Sequence, residues 1–146
     1  MSLLGTVLAL FAGSQAAQAP AAAQALRYAE GQVWEYRTRP GDGESLLKIQ
    51  KIAPLPGGDE EMLVYHVSVI GVDLGPKIAR VLPHLPVAQE KLDASVTRLS
   101  SRTAEFPDPE EGIAEWTRAA GGVFNIAMAE IVALVEPTIA QAQAGE

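Results

Sequence analysis

The chain has 146 residues, and its 11 basic and 18 acidic residues give a formal charge of −7; with no basic cluster present, nucleic acid and anionic membrane surfaces are poor partners, because phosphate recognition needs a dense Lys/Arg face. There are no cysteines, which removes a disulfide framework, a thiol nucleophile, a thiolate metal site and a lipidated cysteine from consideration. Stability must come from buried apolar area in the charged part of the chain, which begins at Arg27 and is long enough for one domain with one core.

The first 26 residues carry no charge, and Leu3 to Gly13 is an 11-residue apolar run. That is too short to span a bilayer and suits the core of a signal peptide. Small residues follow, with A-x-A cleavage options at Ala17 to Ala19 and, preferred because no proline follows it, Ala23 to Ala25. Residues 1–25 are expected to be a signal peptide or, since no Lys or Arg precedes the run, a weak N-terminal anchor. Residues 26–146 form the single domain, periplasmic or secreted, with no stable membrane insertion after cleavage.

Gln32 to Arg39 alternates, with Trp34, Tyr36 and Thr38 on one face, and predicts a half-buried strand. Pro40-Gly41-Asp42-Gly43 supplies a tight turn. Ser45 to Ala53 is the return strand, and its pattern changes phase between Ile49 and Ile52, predicting a bulge near Gln50 and Lys51. A polar turn from Pro54 to Glu61 leads into Met62 to Val72, the densest run of strand formers. Leu63, Tyr65, Val67 and Val69 share one face of it, and Met62, Val64, His66, Ser68 and Ile70 share the other. A strand apolar on both faces is usually central in its sheet. Three strands joined by two short turns predict an antiparallel meander.

Beyond Val72 the chain is harder to read. Ile78 to Leu82 fits an edge strand or an irregular crossing, and Pro86 sits near the start of the next element. Ala88 to Leu99 places Leu92, Val96 and Leu99 at helical spacing and predicts a helix. Asp108-Pro109-Glu110-Glu111 predicts a capped helix start, with the helix running to about Ala120, burying Ile113, Trp116 and Ala120, and ending at Gly121-Gly122. Val123 to Ile126 suggests a further strand. Ala129 to Glu136 predicts a third helix with Ile131, Leu134 and Val135 on one face, stopped or kinked by Pro137, with a frayed tail from Gln141. The fold class is α+β: an antiparallel sheet of three to five strands, meander first, with two or three helices packed on one face.

The chemistry-bearing residues are few. His66 and His84 are the only histidines, their spacing matches no ligand motif, and H-E-x-x-H is absent. G-x-S-x-G does not occur, and the S-x-x-K match at Ser45-Leu46-Leu47-Lys48 falls in a segment read as a strand instead of on a helix, so no serine reads as a nucleophile. The glycine-rich segment at 40–45 lacks the Gly-Lys-Ser/Thr of a phosphate loop, and Asp108, Glu110, Glu111 and Glu115 belong to a helix start rather than a calcium loop. No catalytic residue, metal ligand or cofactor is assigned. Trp34, Tyr36, Arg37 and Arg39 are the residue types that anchor interfaces, Arg39 being the least explained by packing, and His66 completes the candidate binding set.

The blocks Gly31-Gln32-Val33-Trp34-Glu35-Tyr36-Arg37-Thr38-Arg39-Pro40-Gly41, Tyr65-His66-Val67-Ser68-Val69, His84-Leu85-Pro86, and Gly122-Val123-Phe124 through Ala129-Glu130-Ile131-Val132 resemble a family of small exported bacterial proteins to which no activity is assigned. The resemblance covers most of the mature region and implies no transferable site. Members often carry a longer segment between the central strand and the His-Leu-Pro block than this chain does.

Three functional expectations follow. The first is a non-catalytic binding or accessory module recognising another protein. The second is a small envelope hydrolase or isomerase in which His66 works with a carboxylate. The third is a homo-oligomer that packs through an open sheet edge.

Overall fold

The computed structural model describes residues 27–58 and 61–144. The apolar N-terminal run and its cleavage motifs lie outside the described residues. Among the described residues, no helix is long and apolar enough to cross a membrane.

The elements are β1 (Val33–Tyr36), β2 (Leu46–Pro54), β3 (Leu63–Ile70), β4 (Val81–Ala88), α1 (Gln89–Ser95), β5 (Val96–Leu99), α2 (Glu110–Arg118) and α3 (Met128–Ala144). The strands form one antiparallel sheet in the order β4-β3-β2-β1-β5, an α+β fold in which a four-stranded meander is extended by β5. The predicted bulge is present, since the β2–β3 register slips between Ile49 and Lys51. Just beyond the slip, the Ile52 N–H donates to the Glu30 carboxylate at 2.9 Å.

Strand β3 is paired on both edges and buried on both faces, and its alternation divides the molecule into two unequal layers. Tyr65, Val67 and Val69 join Trp34, Tyr36, Leu47, Ile49, Leu85 and Val87 in the main core, closed by Leu92 of α1 and by Met128, Ile131 and Val132 of α3. Tyr28 stands edge-on to both Trp34 and Tyr65, with ring centroids 5.4 Å apart in each pair. Fully burying such side chains contributes about 1.5–3 kcal/mol apiece, so this layer dominates stability. The opposite face is thinner and partly polar: Leu46, Val64, His66 and Ser68 are buried there. Helix α2 lies against this second face, bringing Trp116 to His66, whereas α1 and α3 cover the main core. The helices therefore do not all share one side of the sheet.

The second half of the chain departs from several expectations. Strand β4 runs on through Pro83 and Pro86 because it is an edge strand. The Pro86 carbonyl accepts from Phe124 N–H at 2.9 Å on the outer edge, so the N–H that proline lacks would also have pointed outward, where no ladder bond is lost. The predicted helix over Ala88 to Leu99 ends at Ser95, after which Val96–Leu99 pairs with the free edge of β1. Leu92 and Val96 are buried as expected, but Leu99 is exposed. Of the suggested strand at Val123 to Ile126, only Phe124 forms a bridge, parallel to Val87. Pro137 does not stop α3, which continues to Ala144 through the segment expected to fray. Ala133, whose carbonyl loses its donor at Pro137, is exposed and open to solvent.

The start of α2 follows the sequence closely. Pro109 already has helical dihedrals, and the Asp108 carboxylate accepts from Glu110 N–H at 2.9 Å. The other end differs in detail. Gly121 N–H donates to Trp116 C=O and Ala120 N–H to Thr117 C=O, a Schellman closure in which the left-handed position, φ 51°, falls on Ala120 rather than on a glycine. Gly121 instead gives room to the Trp116 indole, since a Cβ there would lie 2.2 Å from Cδ1. Ile113 is buried and Trp116 half-buried, but Ala120 is exposed. Because a left-handed alanine costs about 1 kcal/mol relative to glycine, Ala120→Gly is expected to raise the urea unfolding free energy by about that amount. Gly121→Ala should lower it.

Candidate functional site

The second face of β3 gathers the polar side chains that the core cannot accept. Ser68 Oγ donates to the Pro83 carbonyl at 2.6 Å and accepts from Gln50 Nε2 at 3.1 Å, and the same amide donates to the Pro107 carbonyl at 3.3 Å. These contacts stitch β2, β3, β4 and the segment before α2 together beneath the helix. Gln50 reaches this layer from the bulge position in β2.

Beside them, His66 Nδ1 and His84 Nε2 form a hydrogen bond of 2.8 Å between β3 and β4. The ring planes are 20° apart with centroids at 5.0 Å, the separation of two nearly coplanar imidazoles joined edge to edge. Trp116 closes the pair from α2, edge-on to both rings at 5.0 and 6.0 Å. Gly112 lets α2 approach this closely, since a Cβ there would lie 2.7 Å from the Cβ of His84. The ladder sets Pro86 opposite His66, and the register then slips between Val67 and Val69, with Leu85 opposite Val67 and Leu82 opposite Val69, so that His84 sits in a β4 bulge diagonal to His66.

One facing nitrogen must carry a proton and the other a lone pair, so the bond requires at least one neutral ring. His66 is 2% exposed. Burial, then His84, then Lys51 push its pKa down to about 4, and burial lowers that of His84 as well. Among the described residues, neither imidazole is hydrogen-bonded or ion-paired to a carboxylate, and no group of three or more His, Asp or Glu side chains is placed to hold a metal ion. The pair can accept and hold a proton. Among the described residues, no acidic side chain is bonded to it in the way that orients a general base.

Two grooves flank β4 and share Pro83 and His84. One, about 320 Å³, is bordered by Asp108, Glu111, Gly112 and Glu115. The other, about 360 Å³, lies between β4 and α3 and is walled by Leu82, Leu85, Phe124, Leu134, Val135 and Ile139. Leu134, expected on the buried stripe of its helix, is 59% exposed at the rim.

The remaining candidates from the sequence lie elsewhere. Trp34 and Tyr36 are core residues: the indole N–H donates to Gln32 Oε1 at 3.1 Å, and the Tyr36 hydroxyl bonds Ser45 Oγ at 2.6 Å. Arg37 is exposed and donates to the Ala94 carbonyl at 2.7 Å. Arg39 is a clamp. Its guanidinium donates to Asp42 Oδ2 at 2.7 Å, to the Asp73 carbonyl at 2.8 Å and to the Glu136 carboxylate, tying the first turn and the β3–β4 connection to α3. The structure thus disperses Trp34, Tyr36, Arg37 and Arg39 instead of bringing them onto one surface with His66. His84 joins His66 although neither spacing nor motif singled it out.

Comparison with protein-family models, with curated proteins and with solved structures returned no match.

Asp42 is buried, so Arg39→Met strands a carboxylate and is expected to cost about 2–3 kcal/mol in urea unfolding. An interface arginine would leave stability unchanged. The histidine pair makes a second prediction. Where His66 is neutral folded and protonated unfolded, the unfolded chain binds the extra proton. Stability should therefore fall as pH drops from 6.5 toward 5, by up to about 1.4 kcal/mol per unit for one group, and stay level on this account above pH 7. Urea midpoints at pH 7.5, 6 and 5 measure the slope.

Proposed function

We propose that the protein is a non-catalytic binding or accessory module that recognises another protein, taking apolar side chains of that partner into the groove between β4 and α3. The observation that carries this reading is the groove itself: a concave, mainly apolar surface of about 360 Å³ beside an edge strand, with a bulky leucine held at its rim. Exposed apolar surface costs solubility unless something covers it, and a groove rather than a scattered set of residues favours a bulky insert. The uncharged N-terminal segment supports a periplasmic or secreted setting for the encounter.

Two features favour side-chain insertion over strand addition. Pro86 leaves the outer edge of β4 without a donor at that position, and the bridge to Phe124 occupies its neighbours. An edge blunted in this way is a poor template for pairing with another chain, including a second copy of this one. For a hydrolase or isomerase centred on His66, the carboxylate that such chemistry would use is not bonded to the ring among the described residues.

Random-peptide display against the immobilised protein should enrich sequences rich in bulky apolar residues, and Leu134→Asp should weaken the selected peptides at least tenfold. Arg37→Ala, outside the groove, should not. Failure to enrich apolar sequences, or indifference to Leu134→Asp, would remove the reading.

A further inference from the structure

We propose that the β4/α3 groove and the acidic groove beside it act as one composite site, and that the partner segment it takes pairs bulky apolar side chains with a nearby lysine or arginine. The inference rests on the binding reading above and names the chemistry of the partner.

Three observations lead to it. First, the two grooves are contiguous: Pro83 and His84 line both, so a chain lying across this part of β4 meets an apolar surface on one side and an acidic one on the other. Second, the linings divide by chemistry. The wall made by Leu82, Leu85, Phe124, Val135 and Ile139 contains no Lys, Arg, Asp or Glu. The other groove holds three carboxylates, Asp108, Glu111 and Glu115, and no basic residue. Third, these acids are open to a ligand. All three are exposed, Asp108 accepts only from Glu110 N–H, and among the described residues the Glu111 and Glu115 side chains are neither ion-paired nor hydrogen-bonded. Glu115 also lies beyond the first turn of α2, so complementing the helix dipole does not account for it.

Charge complementarity selects the occupant. Burial lowers the pKa of His84, which is therefore neutral at pH 7 and does not compete for the carboxylates. An acidic segment would bring like charge to them, and an uncharged one would use only half of the site. A cation a few residues from the apolar anchor satisfies both halves. The chain's own N-terminal run, uncharged up to Arg27, lacks that cation, and a second copy carries the same charge of −7.

The probes are the peptides selected on the full chain by random display, which should carry Lys or Arg at a fixed short spacing from a bulky apolar residue. Replacing that cation by norleucine is expected to weaken binding about fivefold at low ionic strength, the scale of a few exposed ion pairs. In about 1 M salt, where such charges are screened, the loss should shrink to less than about twofold. The same replacement should cost less than about twofold against the double variant Glu111→Gln/Glu115→Gln, in which both substituted positions are exposed. Apolar enrichment without a recurrent cation, or a cation preference undiminished in the double variant, overturns this inference and leaves the groove reading standing. Salt independence in the native protein overturns it too, whatever the variant does. If no apolar sequence is enriched, both readings fall. Light scattering that shows a dimer dissolved by Leu134→Asp would make a second copy the occupant and overturn the proposal.

Discussion

Two-sided burial of β3 is the constraint on which the other features depend. A strand paired on both edges has no free backbone, and one buried on both faces must find cover for every side chain it carries. Its odd-numbered positions are apolar apart from the Tyr65 hydroxyl, which is buried without a hydrogen-bond partner among the described residues, and they meet an apolar core. Its even-numbered positions include a histidine and a serine, and these can be buried only if they are hydrogen-bonded. The partners come from Gln50, the Pro83 carbonyl and His84. In this way the composition of a single strand calls for a second, polar layer and for a helix to cover it.

That layer differs in kind from the core. Apolar packing is indifferent to pH and tolerant of small displacements, whereas a buried hydrogen-bond network depends on protonation and geometry. Gly112 and Gly121 show how tight the fit is, one against His84 and the other against Trp116. The network also occupies the region where β4 bulges and where the two grooves meet. With an apolar core on one side and a hydrogen-bonded pair of titratable rings on the other, the pH sensitivity of the molecule is concentrated on its second face.

The first half of the fold was legible because each signal was local. Alternation over Val33–Tyr36, the turn residues at 40–43, the phase change in β2 and the apolar run of β3 act through neighbours in sequence, and each appears as expected. The second half was less so because tertiary pairing overrode local preference. Leu92, Val96 and Leu99 have helical spacing, yet the open edge of β1 draws Val96–Leu99 into a strand, a state that suits its β-branched Val96 and Thr97. Pro83 and Pro86 disguise β4, since only knowledge that it is an edge makes them acceptable. Arg39 looked like an interface residue because its three partners are up to 97 residues away. The histidine pair was hidden for a related reason: it becomes visible only once β4 is recognised as the partner of β3.

The central claim is that β3 sits between a pH-indifferent core and a second face secured by a neutral histidine pair. Hydrogen exchange of the native chain at pH 7 and pH 5, corrected for intrinsic rates, tests it most directly. The account predicts that β3 amides stay the most protected at both values while those of α2 and of residues 82–85 lose protection selectively at pH 5. Uniform loss across the sheet, or unchanged protection of α2 at pH 5, would contradict it.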